Sequence, residues 1–128
     1  MDTKLIEMMR TEDSFLQNGL GEWIREESIT DWQAYLKTVI MSSSGFRKVF
    51  AWDRNQDSLE SAVTHYDVWL TYCSVSAFVR YLKDHHRIDS GRIAVGRDTR
   101  PTGLILSAIV NLVLLEYQIK PVYIGISA

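Results

Sequence analysis

The residues of this chain best suited to chemistry are the charged side chains Arg97, Asp98 and Arg100, which separate two apolar runs. The first run is short, apolar and ends at Gly96, a pattern typical of a central parallel strand. Pro101 suits the first turn of a helix, where its missing N–H costs nothing. This charged turn is therefore expected at a helix N-terminus, where N–H groups and the helix dipole favour an anion. We interpret it as a site for a phosphate or a carboxylate; alternatively, its Asp and Arg only cap the helix and pair with each other.

A second polar segment, residues 41–51, holds three serines and a glycine followed by apolar residues. This composition predicts a hydrogen-bonding loop that leads into a strand over 46–51. Arg47 stands where the loop becomes regular. By itself, a serine-rich loop is most often only a connection, so the segment alone predicts no function.

The elements that must position these residues alternate between helices and short apolar runs. A helix over 1–17 and a second one beginning at Thr30 or Asp31 make residues 1–40 a helical N-terminal arm. Beyond the arm, the pattern predicts helices over 66–86 and 101–118 and strands over 46–51, 92–95 and 122–126. Strand, helix and strand at this spacing form a right-handed crossover with parallel strands. The fold class is therefore α/β: over 41–128 we expect a three-layer α/β/α sandwich with a mixed, partly parallel sheet and the long helices on opposite faces or flanking it.

Charge and composition exclude several classes of protein. The chain of 128 residues has 14 Lys and Arg against 16 Asp and Glu, a formal charge of −2, which is not the basic excess of a nucleic-acid or membrane-surface binder. Its single cysteine, Cys73, cannot form an internal disulfide and fits a reducing compartment. The N-terminus lacks the pattern of a secretory signal, and the most apolar segment, 104–115, is far shorter than the ~20 residues that span a bilayer. We expect a cytoplasmic protein with no nucleic-acid or membrane partner.

No set of metal ligands is predicted. The cluster over 83–87 contains His85 and His86, but adjacent histidines on a helix point in different directions and no further ligand is near in sequence. Basic side chains at a helix C-terminus, where the dipole favours positive charge, explain the cluster.

Two segments stand in the order and at about the spacing of two motifs of one enzyme family. Residues 43–49, Ser-Ser-Gly-Phe-Arg-Lys-Val, resemble the Thr-Ser-Gly-X-Arg loop near the start of the α-D-phosphohexomutases, the phosphoglucomutases and phosphomannomutases. Residues 95–103 are similar to the Gly-X-Asp-X-Arg-X-Ser/Thr turn of the same family. The resemblance covers roughly residues 41–128. Ser43 stands where the family usually has Thr, a change that keeps the hydroxyl.

The resemblance implies an isomerase that moves a phosphoryl group between positions of a hexose phosphate through a bisphosphorylated intermediate. The family's serine nucleophile, its Asp-rich Mg²⁺ loop and its sugar-specificity loop do not occur in this chain. The implied protein is thus an incomplete first domain that ends before the catalytic serine loop, and its Mg²⁺ belongs to the full-length enzyme, with ligands outside this chain. We expect the 128 residues alone to be inactive; neither the sugar nor the oligomeric state is predicted. The alternative is a non-catalytic α/β module that binds an anion or another protein.

The resemblance also assigns roles to individual residues. It implies that Arg47 contacts the phosphoryl group at the catalytic serine and that Ser44 supports the same loop. The candidates for binding phosphate are Lys48, Arg97 and Arg100. The candidates for structural support of the site are Ser43, Gly45, Asp98 and Thr102. Two alternatives stay open: Asp98 and Arg100 hold the turn together beneath the site, and Arg47 pairs with a carboxylate such as Asp98 and braces the two turns.

Overall fold

A computed structural model describes residues 23–43, 45–87 and 91–126. The elements in this part of the chain are, in order, β1 (Ile24–Arg25), α1 (Trp32–Leu36), β2 (Ile40–Ser42), β3 (Gly45–Arg47), β4 (Val63–Thr64), α2 (His65–Asp84), β5 (Arg92–Arg97), α3 (Gly103–Glu116) and β6 (Lys120–Ile126). They confirm the predicted α/β class. The helix predicted over 1–17 lies outside the described residues.

Helix α2 is the longest element, and its start is specified locally. Thr64 is its N-cap and forms a capping box with Asp67: each side chain accepts a hydrogen bond from the backbone N–H of the other residue. The helix ends at Asp84, two residues earlier than predicted, because His86 adopts a left-handed φ of 53° that a helix cannot contain. None of the helices in the described ranges is long and apolar enough to cross a membrane.

The unit β5–α3–β6 carries the charged turn. Its two strands pair in parallel, as predicted, with Ile93 opposite Pro121 and a bulge after Val95. Both strands extend two residues beyond the predicted ranges. Helix α3 starts at Gly103 rather than at Pro101, because Thr102 occupies the N-cap position.

The core lies where α2 and α3 pack against each other. One cluster joins Val68 and Tyr72 of α2 to Ile105, Ile109 and Val113 of α3, together with residues of β1 and β4. A second cluster brings side chains of α2 and α3 to the face of β5 that carries Val95; its buried members are Val79, Val95, Leu114 and Ile119. Burying each such side chain stabilises the fold by about 1.5–3 kcal/mol. The arrangement of the long helices on opposite faces of the sheet or flanking it stays a prediction.

The strands of the described residues form three two-stranded sheets and not one. β1 pairs with β4 in parallel, β2 with β3 antiparallel, and β5 with β6 in parallel. The strand predicted over 46–51 is wrong beyond Arg47. It ends there because the next side chain, Lys48, turns into the interior and is held there by a buried carboxylate. The predicted three-layer sandwich stays a prediction.

The described part of the N-terminal arm is helical only over α1. Asp31 is its N-cap, as predicted, and accepts a hydrogen bond from the backbone N–H of Gln33 at 3.0 Å. The helical arm predicted over residues 1–40 is wrong at its C-terminal end, because Ile40 begins β2. Since β1 pairs with β4 and Tyr35 is completely buried, this part of the arm belongs to the folded body.

Candidate functional site

A cleft of about 810 Å³ brings the two polar segments of the sequence together. Its lining comes from the end of β3 and the chain after it, the loop 55–58, the end of β5 with the following turn, and the first turns of α3. The guanidinium-bearing residues in the lining are Arg47, Arg97 and Arg100. The volume lies in the range typical of small-molecule sites.

The turn after β5 is held by its own side chains. Asp98 accepts a hydrogen bond from the backbone N–H of Arg100 at 3.0 Å, and its other oxygen lies 3.2 Å from Arg100 Nε. Arg97 Nε donates to the Tyr123 hydroxyl at 3.1 Å, which fixes this side chain against β6. The side chain of Arg100 is 80% exposed and keeps further donors for a ligand.

The N-terminus of α3 opens onto the same cleft. Thr102 and Gly103 are part of the lining, and the Thr102 hydroxyl makes no capping hydrogen bond to the helix. Thr102 itself is buried. The Gly103 N–H donates to the Arg100 carbonyl at 3.0 Å. The rest of the first turn has no side-chain cap, as at anion sites on helix N-termini.

Arg47, which also lines the cleft, is the last residue of the hairpin β2–β3. Gly45, at φ +143°, closes the hairpin in a conformation that other residues rarely adopt, and Ser42 Oγ donates to its carbonyl at 3.0 Å. Arg47 is exposed, and its side chain makes no hydrogen bond or ion pair within the described part of the chain. Its guanidinium is therefore available to a ligand. Ser43 is exposed in the turn of the hairpin, and Ser44 lies outside the described residues.

Lys48, the next residue, is also part of the cleft lining, but its side chain is buried. Its Nζ donates to Asp67 Oδ1 and to the Val49 carbonyl, both at 2.7 Å. The exposed fractions of the two side chains are 1% for Lys48 and 0% for Asp67. Phosphate binding by Lys48 stays a prediction, but its ammonium already has two partners.

A cluster of polar side chains surrounds this ion pair. We call it the Asp67 cluster; its members are Glu27, Tyr35, Lys48, Arg54, Thr64 and Asp67. The Tyr35 hydroxyl donates to Asp67 at 2.5 Å, Thr64 donates to Glu27 at 2.5 Å, and Arg54 forms an ion pair with Glu27. Arg54 Nη1 lies 3.8 Å from Asp67 Oδ1, too far for a hydrogen bond. Two cations thus balance two carboxylates behind the cleft wall.

Burial and partners shift three pKa values in the cluster. Burial lowers the pKa of the Lys48 ammonium, although the hydrogen bond and the charge of Asp67 oppose this effect. Burial pushes the pKa of Glu27 upwards, but hydrogen bonds from Arg54 and Thr64 outweigh it and hold the pKa below its usual value. Burial and the hydrogen bond to Asp67 raise the pKa of the Tyr35 phenol far above its usual range. Tyr35 is therefore a donor at neutral pH, and we assign Lys48 as charged because a carboxylate oxygen lies at hydrogen-bonding distance.

Sequence reasoning did not identify the loop 55–58 or Asp67 as parts of this region. The loop is polar and resembles any solvated connection. A local signal for Asp67 does exist, since Thr64-X-X-Asp67 before an apolar run is a capping box. The partners of Asp67 at Tyr35 and Lys48, in contrast, are distant in sequence and leave no local pattern.

The described residues do not offer a metal site. They contain no group of three or more His, Cys, Asp or Glu side chains that could hold a metal ion. His85 instead lies 2.8 Å, through Nδ1, from the Tyr81 carbonyl of its own helix. The Mg²⁺ implied by the resemblance has no set of ligands in this part of the chain.

Comparisons with known proteins assign no family. The chain matches no protein-family model, and no curated protein and no solved structure shows significant similarity to it. What the chain does must therefore be argued from the cleft.

Proposed function

We propose that the cleft binds the phosphoryl group of a phosphorylated hexose and that the chain is the N-terminal part of a phosphoglucomutase or phosphomannomutase. One observation carries the proposal: the two segments that resemble family motifs, although distant in sequence, line the same cleft. Three arginines and an uncapped helix N-terminus in one cleft suit an anion.

The proposed chemistry is phosphoryl transfer through a bisphosphorylated hexose. Such a reaction depends mainly on positioning and on stabilising charge on the transferred group. Arg47 would contact the phosphoryl group, supported by the loop of Ser43 and Ser44, while Arg97 and Arg100 would hold a phosphate in the same cleft. The nucleophilic serine, the Mg²⁺ and its ligands, and the sugar-specificity loop would come from the longer enzyme. The Mg²⁺ would supply a countercharge for the transferred group.

The three-layer α/β/α sandwich is part of the same proposal. The face of β5–β6 turned away from the helices carries Ala94, Val122 and Ile124, all of them exposed. A further layer over this apolar face would complete the three-layer sandwich. We place the protein in the cytoplasm, consistent with its single cysteine.

Calorimetric titration of the chain with glucose 1-phosphate, mannose 1-phosphate and unphosphorylated glucose tests this proposal. We expect both phosphorylated sugars to bind and glucose not to bind. Arg47→Ala should weaken binding about tenfold to a hundredfold, because a hydrogen bond to a charged group contributes about 1.5–3 kcal/mol. Arg92→Ala is the matched control, since this exposed arginine stands at the other end of β5; it should bind like wild type.

Absence of binding by both sugar phosphates would overturn the proposal, and so would equal loss in the Arg47 and Arg92 variants. Binding of inorganic phosphate, citrate and sugar phosphates with equal affinity would favour the alternative, a non-catalytic anion-binding module. The reading frame beyond Ala128 gives an independent check, because the proposal requires a serine loop and an Asp-rich metal loop downstream.

A further inference from the structure

The wall of the cleft that carries Arg47 is attached to the interior at two points. Lys48 directly follows Arg47 and is held by Asp67. Arg54 directly precedes the loop 55–58 and is held by Glu27. The residues between them, 49–53, belong to no helix or strand. Their backbone is held at Trp52, whose N–H donates to the Ala62 carbonyl at 2.8 Å. The Asp67 cluster is therefore the side-chain restraint on Lys48, where the chain leaves strand β3 directly after Arg47.

Asp67 is the centre of this restraint. Its Oδ1 accepts hydrogen bonds from Lys48 and Tyr35, and its Oδ2 accepts one from the Thr64 backbone N–H at 3.1 Å. Since Asp67 itself lies on α2, these bonds tie the cleft wall to the longest helix of the fold. Asp67 is completely buried and is not part of the cleft lining, so it cannot touch a ligand there.

We propose that Asp67 is a positioning residue for the phosphate site: through Lys48 it fixes the backbone that presents Arg47 to the cleft. This inference rests on the proposed function, because it assigns the support of that same site. A guanidinium held in place loses less conformational freedom on binding than a mobile one. If Lys48 is released from Asp67, Arg47 becomes more mobile and its affinity for phosphate falls. No ligand contact is lost in the process.

Substitution of Asp67 by Asn separates a positioning role from a purely electrostatic one, because the two predict opposite changes in affinity for phosphate. Removing a negative charge near an anion site strengthens anion binding by Coulomb's law alone. Positioning predicts weaker binding, because the neutral amide holds the Lys48 ammonium poorly; we expect a loss of about fivefold or more. The matched control is Asp84→Asn, the same change at the exposed far end of α2, which should leave affinity unchanged.

The experiment is a titration of the whole chain with glucose 1-phosphate, at a temperature where circular dichroism shows each variant to be folded. Weaker binding by Asp67→Asn with unchanged binding by Asp84→Asn supports the proposal. Equal or tighter binding by Asp67→Asn overturns it while the proposed function stands, provided that Arg47→Ala still weakens binding. Absence of wild-type binding overturns both.

If Asp67→Asn does not fold, a second variant tests the positioning role of Asp67. Tyr35→Phe removes one hydrogen bond to Asp67 and changes no charge. Positioning predicts a smaller but measurable loss of affinity, about twofold to threefold. Tyr66→Phe is its control, because that hydroxyl, 3.3 Å from the Thr30 carbonyl, lies outside the Asp67 cluster. Equal affinities for the two Tyr variants would overturn the proposal.

Discussion

Lys48 Nζ lies 2.7 Å from Asp67 Oδ1, and both side chains are almost completely buried. The ammonium also lies 4.8 Å from the ring centroid of Tyr35 and 4.9 Å from that of Phe50, so aromatic faces surround it. Charges removed from water in this way are tolerated only when they are paired and hydrogen-bonded. The pair is therefore a point where stability is sensitive to a single substitution.

Replacing Lys48 with Met should destabilise the fold strongly. The apolar side chain fits the aromatic surroundings, but Asp67 then remains buried with one cationic partner fewer. Breaking a buried pair on one side typically costs about 3–5 kcal/mol. Urea denaturation followed by circular dichroism measures the change. Lys37→Met, at an exposed position, is the control and should have little effect; an unfolding free energy like that of wild type for Lys48→Met would contradict the assignment.

Acid should weaken the fold through Glu27. The pKa of this carboxyl is below its usual value in the folded state because hydrogen bonds from Arg54 and Thr64 outweigh the effect of burial. Its stabilising contribution is thus fully present above the unfolded-state pKa, about 4.3, and is lost as the pH falls through the folded-state pKa. In Glu27→Gln this part of the acid sensitivity should disappear.

Denaturation curves at pH 7 and at several values below 4.5 measure this contribution. Glu60→Gln is the control, because Glu60 forms only an exposed ion pair with Arg25 at 3.4 Å. If Glu27→Gln and wild type lose stability in parallel over the whole acid range, Glu27 does not carry the effect.

The sequence predicts those helices and strands that are long enough to show a regular apolar periodicity within one segment. Helices α2 and α3 and the parallel pair β5–β6 fall in this class, with errors of two residues at their ends. The two-residue strands β1 and β4 are too short for any periodicity, and they form only because distant segments meet. The strand predicted over 46–51 fails for a related reason: the apolar run continues, but Lys48 is drawn inwards by a carboxylate that is 19 residues away.

The same distinction applies to the candidate site. The type and spacing of Arg97, Asp98 and Arg100 predict a charged turn before a helix, and the structure has that turn. That Arg47 lines the same cleft follows from the resemblance but not from periodicity. The Asp67 cluster could not be predicted, because its members come from segments distant in sequence and contact each other only through tertiary packing.

Replacing Gly45 with any residue that has a side chain should destabilise the hairpin β2–β3. No atom would clash with an added Cβ, but its φ of +143° is a backbone conformation that L residues rarely adopt. Gly45→Ala should therefore destabilise the hairpin β2–β3 by about 1–3 kcal/mol through backbone strain. The control is Gly103→Ala, whose Cβ would meet only ordinary contacts at 3.5–3.7 Å. Equal melting temperatures for the two variants would argue against strain at Gly45.

The 128-residue chain should have no mutase activity by itself. Arginines that position a phosphoryl group cannot transfer it without a nucleophile, and the serine loop of the resembling family is absent from this sequence. A coupled assay for conversion of glucose 1-phosphate to glucose 6-phosphate should stay at the level of a mock purification. Turnover above that level, retained after a second purification and lost in Arg47→Ala, would show that the chain carries its own nucleophile.

If the chain is part of the phosphohexomutase we propose, Arg47→Ala in that full-length enzyme should lower turnover about a hundredfold, because losing one charge-stabilising contact costs ~3 kcal/mol in the transition state. The melting temperature should barely change, since Arg47 is exposed and its side chain makes no hydrogen bond or ion pair in the described part of the chain. The brace between Arg47 and Asp98 considered from the sequence is not seen, because Asp98 pairs with Arg100 at 3.2 Å. Arg47→Lys should restore only part of the rate, since an ammonium cannot reproduce the planar pair of guanidinium donors.

Two measurements on the same variants separate a phosphoryl contact from a brace. A contact predicts a large loss of kcat with an unchanged melting temperature, and Arg92→Ala should change neither quantity. A brace predicts the reverse for Arg47→Ala: a melting temperature lower by several degrees and a nearly normal rate in the remaining folded protein. That second result would remove Arg47 from the chemistry and, with it, the main reason for placing the transferred phosphoryl group in this cleft.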